Sequence, residues 1–480
     1  MKLKFFSLSL LLSLCGLCAQ ARIDMPHVFS DNMVLQADTA AVLWGKATPG
    51  STVTARGSWG AQSSAKTSAD GRWRMTVSTP EASYTPLSLT ITDTSDNTSL
   101  TFNNVLAGEV WFASGQSNME MPLRGFWNQP IEDGGEQIMF SRRLGRGIRF
   151  ITVPKAGSYE PKEDIDAMWV ESTPENAGEF SALAWFFATA LRDMLDVPVG
   201  IISCAYGGSK VEGWEPASLI ANYPDRDMKA EQADEKMNEW ERVGVMYNAM
   251  LLPVAGYTLK GFLWNQGESN VGGESYYGAR QADMLSHWRE LWGNKDMQFY
   301  FVELPGWDYG DVNGTNAALF REAQRKAAAD TEGAYIVGTA DLVYPDEPDD
   351  IHARNKRPIG HRMAALAATH TYGLKGVPHT YPTFKNMDVN GGEATLYFND
   401  AWQGFTPNDD LEGFEVAGED RVFYPAKANI DRSNLSIKVS SPEVKEIKSV
   451  RYLFRNFVIG KIRDTYGMPL MPFRTDNWDK

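Results

Sequence analysis

Gly108-Glu109-Val110-Trp111-Phe112-Ala113-Ser114-Gly115-Gln116-Ser117-Asn118-Met119-Glu120 is an apolar run that breaks into glycine, amide, hydroxyl and amide. The run predicts a buried strand, and the break predicts a sharp turn into a helix. Such a turn exposes the side chain at its apex and leaves the first helical N–H groups unpaired beside it. A serine at that apex suits acyl transfer, because a nucleophile then sits next to donors for a developing oxyanion. A helix-capping serine is the plain alternative. Gly115 and Gln116 favour chemistry, since glycine permits close approach and glutamine is a poor choice for capping alone.

Working outward, further strand-like runs fall at 199–205, 258–264, 297–304 and 334–338, with 108–113 in the segment above. Helical patterns lie between and after them, at 181–195, 276–292, 317–330 and 358–370. Buried strands alternating with helices predict a three-layer α/β/α unit with a mostly parallel sheet. Ligands of such folds sit beyond the C-terminal strand ends. Residues 22–106 read as β, with short alternating runs between turns such as Thr48-Pro49-Gly50 and Ala69-Asp70-Gly71. Residues 376–480 return to that texture. The expected organisation is a leader at 1–21, a β-sandwich-like region at 22–106, a catalytic α/β unit at 107–375 and a β-rich accessory region at 376–480.

The leader is read from Lys2 and Lys4 ahead of the apolar run Phe5–Leu17 and the small residues Ala19-Gln20-Ala21. The run is short for a membrane span. Cys15 and Cys18 raise a lipid anchor as an alternative, but bulky Leu14 and Leu17 precede them where a small residue is wanted. Cleavage predicts a periplasmic or secreted protein whose one remaining cysteine, Cys204, lies in a buried run and forms no internal disulfide. The formal charge is −15, from 46 basic and 61 acidic residues, and loss of Lys2 and Lys4 takes it to −17. No basic patch stands out, so nucleic acid is excluded as a partner class. Fifteen tryptophans and 18 tyrosines lean modestly toward a carbohydrate ligand.

Three more polar clusters follow predicted strands. Ala205-Tyr206-Gly207-Gly208-Ser209-Lys210 ends one strand in paired glycines, which can aim an N–H at an oxyanion. Trp214 downstream is a sugar platform or core. Trp264-Asn265-Gln266-Gly267-Glu268-Ser269-Asn270 places amides abruptly after an apolar run. Asn265 or Gln266 can donate to an oxyanion there, and Glu268 can orient donors or act as an acid. Asp349-Asp350-Ile351-His352 is the fourth. Among the six histidines only His352 lies in a polar, acid-rich loop, so it is the candidate base. Asp349, three residues earlier, has the spacing to hold the ring, and Asp350 is its rival. No tight His/Cys set suggests a metal, and no cofactor is expected.

These motifs, with Val28-Phe29-Ser30-Asp31-Asn32-Met33-Val34-Leu35-Gln36, Asn355-Lys356-Arg357-Pro358 and Pro472-Phe473-Arg474-Thr475-Asp476, resemble the sialate O-acetylesterase family within the Ser-Gly-Asn-His hydrolases. The resemblance spans essentially the whole mature chain. It implies a metal-independent serine esterase that removes O-acetyl groups, with 9-O-acetyl sialic acids as substrate. On the matching positions it implies Ser117 as nucleophile, His352 and Asp349 as its partners, and an oxyanion hole of the Ser117 and Gly208 amides with the Gln266 side chain. Gln116, Asn118, Asn265, Glu268, Trp214, Arg124 and Arg354 are the candidate substrate or supporting residues, the two arginines as counter-charges for a sialate carboxylate. The partner is then an acetylated sugar or sialoglycan. An acetyl esterase for xylan or another glycan, and a non-catalytic carbohydrate-binding surface protein, are the alternatives.

Overall fold

The computed structural model describes residues 23–310, 314–401, 403–409 and 411–478. The expected leader lies outside the described residues. At the centre is a seven-stranded sheet in the spatial order Ala334–Val337, Gln298–Val302, Gly261–Asn265, Ser99–Gly115, Val199–Ala205, Ile148–Thr152, Val170–Glu171. All neighbours run parallel except the two-residue edge strand. Strand alternation splits its side chains between two cores. Trp111, Ala113, Ile201, Leu263 and Tyr300 face the helices Ala182–Leu195 and Arg357–His370. Val110, Phe112, Ile202, Phe262 and Trp264 face Glu274–Trp292 and Asn316–Asp330. This is the expected α/β/α arrangement.

The strand Ile148–Thr152 was not foreseen. It is short and carries Arg149, whose buried guanidinium donates to the carbonyls of Asn32 and Asn104. A charge inside a five-residue run hides a strand from pattern reading.

The central strand Ser99–Gly115 is 17 residues long and serves two sheets. Its first half pairs antiparallel with Ser83–Asp93 of the N-terminal β region, and its second half pairs with Val199–Ala205. The expected boundary at 106/107 therefore falls inside one continuous strand. The Val28–Gln36 segment fastens this junction. Trp169 Nε1 donates to the Val28 carbonyl, and the Gln36 side chain bridges Glu109 Oε2 and the Val110 amide at 3.0 Å each.

The C-terminal region forms two four-stranded antiparallel sheets around their own core. It packs on the α/β unit through Asn456, which accepts from the Ala317 amide, and through Arg321, which donates to the Arg455 and Asn456 carbonyls.

Candidate active site

Register creates the site. Ala205, Gly115 and Asn265 are Cα partners at the C-terminal ends of three adjacent strands. The polar clusters that follow them are thus level with one another. Gly115 has φ +140°, and a Cβ there would lie 2.1 Å from the Asn265 carbonyl oxygen, so only glycine fits the turn. The Gln116 amide donates to that oxygen at 3.0 Å, and the chain enters the short helix Ser117–Glu120.

Ser117 is the first helical residue rather than the cap, which is Gln116. It is half-buried. A Cβ at Gly207 would lie 3.5 Å from the Ser117 Cβ, which puts the paired glycines against the serine. The Gly207 amide donates to Glu120 Oε2 at 2.6 Å. Among the described residues the amides of Ser117 and Gly208 donate to no backbone or side-chain acceptor. Two unspent N–H groups therefore lie on the serine turn and on the glycine loop packed against it.

Side-chain braces tie the loops together. Gln116 Oε1 accepts from the Gly267 and Ser269 amides at 3.3 and 3.4 Å, and Ser269 Oγ donates to the Gly208 carbonyl at 2.9 Å. Gln266 Nε2 donates to the Ser209 carbonyl at 3.0 Å and to Asn270 Oδ1 at 2.7 Å, while Tyr277 donates to Gln266 Oε1. Both amide hydrogens of Gln266, expected as an oxyanion donor, are thus engaged by Ser209 and Asn270. The neighbouring Asn265 Nδ2 is buried with no hydrogen-bond partner among the described residues. Trp214 is fully buried, donates to Ser209 Oγ at 3.0 Å and packs edge-on to Trp264. It supports the glycine loop from below and offers no sugar platform.

The histidine loop docks on the serine turn. Asn118 Nδ2 donates to the Ile351 carbonyl at 2.9 Å. His352 is held from an unexpected side: its Nδ1 lies 2.9 Å from Gln129 Oε1, and Gln129 Nε2 donates to Asp350 Oδ1 at 3.0 Å. The same carboxylate oxygen accepts from the His352 amide at 2.9 Å. Phe126 meets the ring edge-on, with centroids 5.2 Å apart. Asp349 is exposed and makes no hydrogen bond among the described residues, so the structure does not bring it to the ring. Sequence reading missed Gln129 because nothing in Trp127-Asn128-Gln129-Pro130 marks it beyond a surface turn.

His352 Nε2 is buried with no hydrogen-bond partner among the described residues. Burial, followed by the charge of Lys356, pushes the imidazole down to about 4 against the opposing pull of Asp350. Lys356 is itself buried and donates to Asn118 Oδ1, while Asn118 Nδ2 also donates to Glu268. Burial draws the lysine down to about 8 and raises the Glu268 carboxyl.

The two arginines considered as counter-charges already have carboxylate partners. Arg124 pairs with Glu179 at 2.6 Å, and Arg354 pairs with Asp346 and Glu347 while lying over the Tyr344 ring. Two aromatics at the rim went unremarked in the sequence. Trp127, on the turn that holds His352, is 89% exposed. Trp240 stands beside Gly208, whose Cβ would lie 2.8 Å from its ring.

Known proteins place this arrangement. A family model described as carbohydrate esterase, sialic acid-specific acetylesterase, matches residues 107–369, and one for a bacterial Ig domain matches residues 26–107. Human sialate O-acetylesterase is 27% identical over 422 residues, covering 81% of this chain and 78% of the relative. The mouse protein is 28% identical over 427 residues, covering 77% of each. A crystal structure of a carbohydrate acetylesterase from Xanthomonas citri superposes with a TM-score of 0.83 at 31% identity, covering 95% of this chain and all of that one. Fold and likeness together define a hydrolase of the carbohydrate-esterase class, acting on ester-bearing sugars. The chain belongs to the sialic acid-specific acetylesterase family of carbohydrate esterases.

Proposed function

We propose that the protein hydrolyses O-acetyl esters of sugars by two-step acyl transfer through Ser117. The observation that carries this reading is the Asn118–Ile351 hydrogen bond, which joins the serine turn to the histidine loop beside two unspent amides. His352 Nε2 takes the proton as Ser117 Oγ attacks the acetyl carbonyl. The Ser117 and Gly208 amides receive the oxyanion, with Asn265 the nearby side chain whose amide hydrogens are unspent. His352 then protonates the departing sugar oxygen and activates the water that releases acetate.

The substrate reading favoured by the relatives named sialate O-acetylesterase is an O-acetylated sialic acid, and we take the 9-O ester as the first candidate. A neutral acetylated glycan is the second reading, supported by the carboxylates that already stand against Arg124 and Arg354 and would compete with a sialate carboxylate. Trp127 offers a flat face for a sugar ring in either case. Export through the leader would bring the enzyme to such glycans in the periplasm or outside the cell. Among the described residues no helix is long and apolar enough to cross a membrane.

The deciding experiment is acetate release from a 9-O-acetyl sialoside, acetylated xylan and an aryl acetate, with Ser117→Ala as control. Preferential release from the sialoside supports the first substrate reading, and preference for xylan the second. Full activity in Ser117→Ala, or no labelling of Ser117 by a fluorophosphonate, would sink the mechanism.

A further inference from the structure

We infer that Asp350 and Gln129 form a relay that fixes the tautomer of His352, so that a neutral amide stands where the ring was expected to meet a carboxylate. This rests on the reading of His352 as the base. The argument is one of hydrogen-bond polarity. An ionised carboxylate only accepts, so Asp350 Oδ1 at 3.0 Å must face the NH2 end of Gln129. That leaves Gln129 Oε1, also only an acceptor, 2.9 Å from His352 Nδ1. The ring nitrogen there must carry the proton, and Nε2 is left with the lone pair a base needs.

The amide alone could not do this. A glutamine can present either end, and the reversed amide would donate to Nδ1 and select the tautomer with its proton on Nε2. Asp350 removes that choice. It also braces the loop by accepting from the His352 amide, so the acid and the ring are held by one oxygen. The device orients the imidazole without putting a full charge against it. The charged groups bearing on the ring are Asp350 on its own loop and Lys356 at the start of the following helix, with Glu268 beyond Asn118.

The test uses the full chain and an aryl acetate. In Asp350→Ala the oxygen that faces the Gln129 amide is removed, and the lock on the amide is lost. The turnover number is expected to fall at least about tenfold with KM unchanged. Nitrogen NMR of the imidazole should then show a mixed tautomer. In Gln129→Glu a carboxylate touches Nδ1 directly, and the acid limb of kcat/KM should move up by about 1–3 pH units. A carboxylate has no wrong end, so Gln129→Glu/Asp350→Ala should return to the level of Gln129→Glu. An unchanged tautomer and turnover in Asp350→Ala, an unmoved acid limb in Gln129→Glu, or a double variant no better than Asp350→Ala overturns the relay. Activity surviving in His352→Ala overturns instead the reading beneath it.

Discussion

Lys356 Nζ donates to Asn118 Oδ1 in a fully buried setting, and Glu268 accepts from the other end of the same amide. An asparagine thus lies between two opposite charges, directly after Ser117 in the chain. The same side chain also holds the Ile351 carbonyl. Buried charges of this kind contribute little net stability, but removing one of them strands the other.

Lys356→Met is therefore expected to destabilise the fold by about 3–5 kcal/mol, measured by urea denaturation. Lys356→Met/Glu268→Gln should recover part of that loss. The sign of the pH effect follows from the depressed pKa. Between about 8 and the ordinary value near 10.5, the unfolded chain binds a proton that the folded one does not. Stability of the parent relative to Lys356→Met should rise with pH across that window.

His352 sits near 4 in the folded enzyme, below its ordinary 6.5. A base must be neutral, so kcat/KM on an aryl acetate should hold through neutral pH and fall only near pH 4. Stability follows the same group: the unfolded chain takes up a proton between 6.5 and 4 that the native ring refuses. Its contribution is full above 6.5 and is lost as pH falls to 4. Lys356→Met, which removes a cation that lowers this pKa, should move the acid limb upward.

Asn265 and Gln266 are adjacent but do different work. Asn265→Ala should lower kcat by about 100- to 1000-fold while leaving the melting temperature near that of the parent. Gln266→Ala strands the Ser209 carbonyl and Asn270 and should cost about 1–3 kcal/mol of stability. Equal activity of Asn265→Ala and the parent would remove it from the oxyanion site.

Asp349 is exposed and touches nothing at the ring. Asp349→Ala should keep kcat/KM within about twofold, the range of an ordinary surface change. A large loss would show that the loop rearranges to bring this carboxylate onto His352.

Trp127→Ala should raise KM for an acetylated oligosaccharide by a few-fold, the equivalent of about 0.5–1.5 kcal/mol of ring stacking. Its kcat/KM on a simple aryl acetate should not change, because that substrate has no sugar to stack. Equal effects on both would assign Trp127 to the shape of the turn.

The amino-acid sequence by itself determined the layers of this protein. Runs such as Val199–Ala205 and Gly261–Asn265 are buried at every position, and the helices between them show their periodicity, so strand and helix are local properties. It also marked the loops that gather at the strand ends, because Gln116-Ser117-Asn118 and Asn265-Gln266-Gly267 turn polar abruptly after apolar runs. Which partners those side chains take was decided only by the tertiary structure. Gln129 lies 223 positions from His352, and Asn118 lies 238 from Lys356. Asp349 and Asp350 are adjacent in the chain, yet only one turns toward the ring's support. Gln266 and Asn265 are likewise neighbours, yet among the described residues the donors of one are spent and those of the other find no partner. Hydrogen bonds at such separations depend on the direction of each side chain after the sheet has set its register, and no local pattern carries that direction.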